Sequence, residues 1–241
     1  MAILRSAFFN LLMFSSVMVY AVAALFTFPL PPLKRYAFIK HWARLQVWLL
    51  TVVCGMGYRV EGRAQLPPGP AIILANHQSS WETLAFQDIF PPQVWVLKKE
   101  LLRIPFFGWG LAMTQPIAID RGARMKAMDQ VVEQGRQRLA GGRWVVVFPE
   151  GTRLKPGEKR RWGIGGAVLA SRTGYPVVPV AHNAGSFWPR RGFIKRPGTI
   201  TVAIGPAIDS RGKTPEEILA AAQGWVESTL ARLESQPPPG R

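Results

Sequence analysis

Two short blocks of the chain carry residue types that could act together in catalysis. The first, at residues 76–82, reads NHQSSWE and places an imidazole, His77, five residues before a carboxylate, Glu82. A histidine that is oriented by a carboxylate can take a proton from a hydroxyl group. The second, at residues 148–153, reads FPEGTR and ends in Arg153, whose planar guanidinium matches phosphate oxygens. One block could therefore activate a hydroxyl, and the other could hold a phosphate.

The spacing of His77 and Glu82 excludes a continuous helix as the element that pairs them. On a regular helix of ~3.6 residues per turn, side chains five residues apart point roughly 140° away from each other. An apolar strand is predicted to end at Ala75, and residues 79–82 match a capping box that opens a helix. We therefore expect His77 in the turn and Glu82 in the first helical turn, where they can approach. The structural alternative is that Glu82 only closes the capping box on Ser79.

The second block follows a predicted buried strand. Residues 144–148 read WVVVF, a continuous apolar run typical of a strand that is covered on both faces. The turn after it lies at the strand end, where open α/β sheets bind ligands, and Gly151 allows close approach of the backbone. The Gly-x-Ser-x-Gly pattern of a nucleophilic serine occurs nowhere in the sequence. General-base catalysis by His77 without a covalent enzyme intermediate is therefore favoured.

In this order, the two blocks resemble the His-x4-Asp and Phe-Pro-Glu-Gly-Thr-Arg motifs of the glycerolipid acyltransferase family, with Glu82 in place of the family Asp. The likeness extends from about Tyr58 to Gly205. It implies transfer of a fatty acyl group from an acyl thioester to the free sn-2 hydroxyl of 1-acyl-glycerol-3-phosphate, giving phosphatidic acid, with His77 as general base. It implies no cofactor, because coenzyme A or acyl carrier protein brings the acyl group as a co-substrate.

The resemblance also assigns substrate-binding residues. Stretches that match residues 98–101 and 119–121 help the family to bind the glycerophosphate. The predicted substrate-binding set is Lys98, Arg121, Glu150, Gly151, Thr152 and Arg153. The ordinary alternatives are that Lys98 is solvated at a strand end and that Arg121 pairs with Asp120. Residues 178–180 match a fourth block, which either packs around the acyl chain or is strand core.

An N-terminal segment has the composition of a membrane anchor. Residues 6–33 contain no charged side chain, and at ~1.5 Å per helical residue roughly 20 apolar residues cross the hydrocarbon layer. The run is longer than the usual core of a signal peptide, which favours a retained anchor over a cleaved signal. A second apolar run, residues 45–56, either dips into the bilayer or is a buried helix. The resemblance implies that both runs form a two-helix membrane-associating element.

Charge around the first run predicts the side of the membrane. The basic residues that follow it outnumber the single one before it, Arg5, and they are Lys34, Arg35, Lys40 and Arg44. By the positive-inside tendency, the catalytic domain is expected to face the cytoplasm at the inner membrane. The lone Cys54 suits a reducing compartment and excludes an intramolecular disulfide and a cysteine-based zinc site. The three histidines show no metal-binding spacing.

Downstream of these runs, short β-type segments alternate with helical ones, which predicts an α/β domain with a mixed, mostly parallel sheet covered by helices. We expect membrane-anchoring helices at residues 1–57, an acyltransferase α/β domain at residues 58–235 and a frayed tail at residues 236–241. Within that domain, the imidazole of His77 and the guanidinium of Arg153 must face one cavity if both blocks serve one reaction.

Thirty Lys and Arg residues against fourteen Asp and Glu residues give a formal charge of +16, which favours an anionic partner. A phospholipid bilayer is the expected one, and residues 188–196, which read WPRRGFIKR, suit a membrane interface as well as a solvated basic loop. A membrane-anchored nucleic-acid-binding protein would explain the charge but leave both blocks as coincidence, so we expect no nucleic acid partner. The nearer alternative is acyl transfer to another lyso-lipid or a lipid A precursor.

Overall fold

The computed structural model describes residues 1–119 and 124–235. Arg121, one of the predicted phosphate ligands, and the predicted frayed tail at residues 236–241 lie outside the described residues. The helices are α1 (Ala2–Leu25), α2 (Pro32–Cys54), α3 (Trp81–Ile89), α4 (Phe107–Met113), α5 (Arg124–Ala140), α6 (Gly165–Thr173) and α7 (Pro215–Ser235). The strands are β1 (Met56–Glu61), β2 (Ile72–Ala75), β3 (Gln93–Lys98), β4 (Ile117–Ile119), β5 (Trp144–Val147), β6 (Val177–His182) and β7 (Gly198–Ile204). Short 3-10 turns are Arg63–Gln65, Lys99–Arg103 and Ala184–Ser186.

The described strands form one seven-stranded sheet in the order β1-β7-β6-β2-β5-β3-β4. Neighbouring strands run parallel except for β6 and β7, which are antiparallel. The prediction of a mixed, mostly parallel sheet covered by helices is confirmed. The central strands β2, β5 and β6 are buried over their whole length, which explains their continuous apolar sequences.

Two apolar layers enclose the sheet. Alternate residues of β2 divide between them: Ile73 and Ala75 join the layer of α2 and α3, whereas Ile72 and Leu74 join the layer of α5, α6 and α7. In β6, Val178 and Val180 are fully buried within the first layer. Residues 178–180 are therefore strand core and do not line the catalytic cleft described below.

Helices α1 and α2 form a helical hairpin, and their bounds differ from those of the two apolar runs in the sequence. Helix α1 ends at Leu25, where the hydroxyl of Thr27 donates to the carbonyl of Ala24, and α2 starts with a proline at its first position, Pro32. Uncharged residues continue through the turn, so absence of charge could not mark the helix end. Helix α2 begins well before the apolar run at residues 45–56. Its first half carries charged side chains, so the hydropathy pattern did not reveal this start.

Helix α1 lies along the catalytic domain and is bound to it near both ends. The hydroxyl of Ser6 accepts a hydrogen bond from the backbone N–H of Lys195 at 2.9 Å, and Phe9 is fully buried. Farther along, Ala21 packs against Gly110 of α4. A Cβ atom added to Gly110 would lie 3.8 Å from Cα and Cβ of Ala21. The opposite face exposes large apolar side chains, among them Ile3, Leu4, Phe8, Leu11 and Phe14. Among the described helices, α1 alone is long and apolar enough to cross a membrane.

Candidate active site

The two sequence blocks emerge side by side because the strands before them are neighbours. Strands β2 and β5 pair in parallel, with Leu74 opposite Val147. Residues 76–82 and 148–153 therefore leave the same carboxyl edge of the sheet at the same level. In α/β sheets this edge is where ligands bind.

His77 and Glu82 form the couple that the sequence predicted. The imidazole Nδ1 lies 2.8 Å from Oε1 of Glu82, which is fully buried in the first turn of α3. The same oxygen accepts the backbone N–H groups of Gln78 at 3.0 Å and Ser79 at 2.8 Å. Glu82 therefore anchors the start of the helix and orients His77 at once, so the structural and catalytic explanations of this residue are compatible.

Charge and tautomer follow from these contacts. Burial raises the pKa of Glu82, but the nearby imidazoles of His182 and His77 and the backbone donors outweigh burial, and the net pKa lies below the usual value. An ionised Glu82 can only accept hydrogen bonds, so the proton of neutral His77 resides on Nδ1. The lone pair of Nε2 is then available to accept a proton from a substrate.

The second block supports His77 from behind. The backbone N–H of His77 donates to Oε2 of Glu150 at 2.8 Å, and its carbonyl accepts the N–H of Leu154 at 2.7 Å. The ring of Phe148 stacks on the imidazole, with centroids 4.0 Å apart and planes 7° from parallel. Backbone and ring of the histidine are thus held by residues of the FPEGTR block and the residue after it.

Glu150 lies behind the cleft rather than in its lining. Its carboxyl group is buried beside a small pocket against α7, and burial raises its pKa to about 8 despite the hydrogen bond from His77. At neutral pH, Glu150 is therefore mostly protonated, whereas Glu82 is ionised. The two environments push the pKa values of neighbouring carboxyl groups apart, which leaves one charged partner for the histidine.

A cleft with about 330 Å³ of free space opens in front of His77. Its polar side contains His77, Lys98, Gly151 and Arg153, so the imidazole and the guanidinium face one cavity, as the sequence required. Gly151 adopts a left-handed conformation, with φ 70°, that turns the block toward the cleft. Thr152 follows in the same turn and is half-buried. Most of the remaining wall is apolar: Trp42, Leu84, Trp95, Val96, Leu97, Leu101, Phe107, Leu111 and Phe148.

Arg153 is placed to receive an anion. Burial lowers the pKa of its guanidinium, which still stays charged at neutral pH because its ordinary value is so high. Its Nε is buried and has no hydrogen-bond partner among the described residues. A buried, charged donor without an acceptor is costly unless a ligand satisfies it.

The apolar wall of the cleft continues into a narrower pocket between α1, α2 and α4, with about 70 Å³ of free space. Trp42, Trp95 and Phe107 line both cavities. Phe106 lines the narrower pocket from a tight turn with φ 60° and ψ −65°, in which the N–H of Phe107 donates to the carbonyl of Pro105 at 2.7 Å. Such turns are rare and strained for residues other than glycine.

Sequence reasoning missed a buried pair that locks the catalytic loop. The side-chain amide of Asn76 donates to the carbonyl of His182 at 2.9 Å and accepts its N–H at 3.0 Å, and Nε2–H of His182 donates to the carbonyl of Asn76 at 2.9 Å. Burial lowers the pKa of His182, which favours the neutral form. The partners are 106 residues apart, so no local pattern could have linked them.

A second missed contact comes from the last turn of α7. Oε1 of Glu234 accepts the side-chain amide of Gln78 at 2.8 Å, and its Oε2 accepts the N–H of Gly157 at 3.1 Å. Gln78 in turn accepts the N–H of Gly185 at 3.2 Å. The helix, whose apolar spacing predicted only a packing surface, therefore also ties together the two loops that bear the catalytic blocks.

Comparison with known proteins identifies the family and the fold of this chain. The sequence profile described as Acyltransferase matches residues 57–183. The 1-acyl-sn-glycerol-3-phosphate acyltransferase of Pseudomonas aeruginosa is 43% identical over 95% of this chain and 91% of its own length. The Escherichia coli protein of the same name is 32% identical over 70% of each chain. The crystal structure of the 1-acyl-sn-glycerophosphate acyltransferase from Thermotoga maritima superposes with a TM-score of 0.80 at 23% identity, covering 98% of this chain and 97% of that one, so the fold is shared.

Replacing Asn76 by Ala is expected to lower the free energy of unfolding by about 2–4 kcal/mol, because it leaves the N–H and C=O of buried His182 without partners. Chemical denaturation in detergent micelles measures the loss. Gln137→Ala, which removes an exposed amide of α5, is the matched control and should change stability by less than about 0.5 kcal/mol. Equal effects of the two substitutions would contradict the locking role.

The raised pKa of Glu150 predicts a pH dependence of stability. Between its ordinary value of 4.5 and about 8, the folded state binds one proton more than the unfolded state. The stabilisation is therefore complete below about pH 4.5 and falls as pH rises to about 8, by up to about 1.4 kcal/mol per pH unit. Glu150→Gln, which cannot titrate, should lack this slope in denaturation series from pH 5 to 8. Parallel profiles for the two proteins would refute the assignment.

Proposed function

The chain belongs to the Acyltransferase family, and from that premise we propose how its cleft transfers a fatty acyl group from an acyl thioester to 1-acyl-glycerol-3-phosphate. The reaction esterifies the free sn-2 hydroxyl and gives phosphatidic acid. The observation that carries the mechanism is that a carboxylate-oriented imidazole, His77, and a half-buried guanidinium, Arg153, line one cleft. The first suits the hydroxyl of the acceptor, and the second suits its phosphate.

His77 acts as the general base. As the sn-2 oxygen attacks the carbonyl carbon of the thioester, its proton moves to Nε2 of His77, and Glu82 stabilises the imidazolium through Nδ1–H. When the carbon–sulfur bond breaks, the imidazolium returns the proton to the departing thiolate. The products are phosphatidic acid and the free thiol of the donor, and the enzyme carries no acyl group at any point.

Arg153 and Lys98 bind the phosphate of the acceptor. The guanidinium fork of Arg153 can hold two phosphate oxygens, and its unpartnered Nε gains an acceptor when the ligand binds. Lys98, at the end of β3, adds a point charge on the same cleft. Gly151 and Thr152 lie in the turn beside them, whereas Glu150 acts through His77. Arg121 remains a predicted ligand outside the described residues.

The apolar wall and the narrower pocket between α1, α2 and α4 take fatty acyl chains. The pocket is lined by Tyr20 and Ala24 of α1, and the outer face of that helix is exposed and apolar. An acyl chain that reaches the catalytic histidine can therefore come from a bilayer on this side of the molecule. Coenzyme A and acyl carrier protein both remain candidate carriers of the donor chain.

Helix α1 lies in one leaflet instead of crossing the bilayer. Its contacts with the catalytic domain at Ser6 and at Ala21 hold it along the domain surface, which supports this proposal. A helix with one face buried in protein and an exposed apolar face suits monotopic association. The domain then stays on the cytoplasmic face of the inner membrane without translocation, and the lone Cys54 suits that compartment.

His77→Ala is expected to lower kcat/KM by about 10²–10⁴-fold, because the base that takes the hydroxyl proton is lost. Acyl transfer is measured with lysophosphatidic acid and an acyl thioester, with the mass of the product recorded. His41→Ala removes an exposed histidine of α2 and should retain full activity. A folded His77→Ala variant with normal turnover would exclude general-base catalysis by this residue.

Arg153→Lys tests the phosphate site, because it keeps the charge but loses the bidentate fork. The KM for lysophosphatidic acid should rise at least about tenfold, the loss expected when a charge-assisted hydrogen bond of about 1.5–3 kcal/mol is removed. The KM for the thioester should change much less. Arg172→Lys, on the exposed surface of α6, is the control. Equal increases for acceptor and donor would argue against a phosphate clamp at Arg153.

A further inference from the structure

The basic segment at residues 188–196 contains one lysine that points inward. Lys195 is 2% exposed, and its ammonium donates to the side-chain oxygen of Asn10 in α1 and to the carbonyl of Phe193. It lies over the rings of Trp188, at 4.6 Å, and Phe9, at 5.5 Å. A charge in this position is compensated by hydrogen bonds and cation–π contacts. Lys195 therefore pins the segment to the first turns of α1.

The segment has a defined shape of its own. The N–H of Gly192 donates to the carbonyl of Pro189 at 2.8 Å, and the indole N–H of Trp188 donates to the carbonyl of Gly192 at 3.1 Å. At its far end, the N–H of Arg196 donates to the carbonyl of Phe187 at 2.9 Å. These bonds close the chain into a preformed loop, which reduces the cost of ordering its backbone on binding.

The side chains that point outward are of two kinds. Phe193 is 50% exposed and Ile194 is 38% exposed, although the loop that carries them is anchored in the core. Arg191 and Arg196, which flank them in sequence, are exposed as well. An aromatic and an aliphatic side chain between arginines are what an interface between headgroups and acyl chains favours.

We propose that residues 189–196 form a membrane-contacting element in addition to α1. In it, Phe193 and Ile194 enter an anionic bilayer beside α1 while Arg191 and Arg196 meet the lipid phosphates. The inference rests on the proposed membrane association of α1. Continuity supports a bilayer as the occupant, because Lys195 joins the loop directly to a helix whose outer face exposes Leu4, Phe8 and Leu11. The loop widens this apolar surface at the N-terminal end of α1 and holds the domain at a set tilt.

Site-directed nitroxide labels on the full-length protein test the proposal in vesicles of phosphatidylglycerol and phosphatidylethanolamine. Three single-cysteine introductions are compared: Phe193→Cys in the loop, Leu11→Cys on the exposed face of α1, and Lys213→Cys before α7, on the opposite side of the sheet. Cys54 is buried, and unsubstituted protein treated in the same way measures its background labelling. The readout is collision of each label with lipid-soluble oxygen relative to a water-soluble nickel chelate.

In vesicles, the labels at residues 193 and 11 are expected to collide more often with oxygen than with the nickel chelate. The label at residue 213 is expected to collide mainly with the nickel chelate. If residue 11 lies in lipid but residue 193 behaves like residue 213, the segment is a solvated basic loop and this inference fails alone. If residues 11 and 193 are both in water, the proposed membrane association of α1 fails as well. Combining Arg191→Gln with Arg196→Gln should make the label at 193 shallower and leave that at 11 unchanged, and an unchanged depth at 193 would overturn the role of the arginines.

Discussion

One carboxylate oxygen organises the active site. Oε1 of Glu82 accepts hydrogen from the imidazole of His77 and from the backbone of Gln78 and Ser79 in a position without solvent access. The nearby imidazole of His182 and the donors on this oxygen hold the pKa of the buried carboxyl group below its usual value, and the ionised group in turn selects the tautomer of His77. The start of α3, the path of the loop and the orientation of the His77 ring therefore depend on the same atom. Glutamate in place of the family aspartate retains this contact, with a distance of 2.8 Å to the imidazole.

This arrangement needs the parallel pairing of β2 and β5. Their register brings Phe148 under the imidazole and Glu150 to the backbone of His77, so the turn at residues 148–153 and His77 are parts of one unit. The two carboxyl groups around His77 differ in pKa because nearby imidazoles and backbone donors outweigh burial at Glu82, whereas burial dominates at Glu150. Of the two, only Glu82 contacts the imidazole ring, whereas Glu150 contacts the backbone N–H of His77.

Much of the site could be read from the sequence, because its chemistry resides in contiguous blocks at strand ends. The helix start at Ser79 to Glu82 and the buried strand before Phe148 predicted correctly that His77 and Arg153 share a cavity. The support of the loop could not be predicted, since Asn76 meets His182 and Gln78 meets Glu234 only through tertiary packing. The hydropathy pattern also could not predict where the N-terminal helices begin and end, because the hairpin turn is as uncharged as α1. Glu150 matched a substrate-binding motif, yet burial behind the histidine gives it a supporting position.

The contact between Glu234 and Gln78 has a consequence for biosynthesis. Translation delivers the hairpin of α1 and α2 first, then residues 76–82 and residues 148–153, and the last turn of α7 after them. The brace that Glu234 forms between the two loops is therefore the last part of the site to be completed, after both sequence blocks and the N-terminal hairpin have been synthesised.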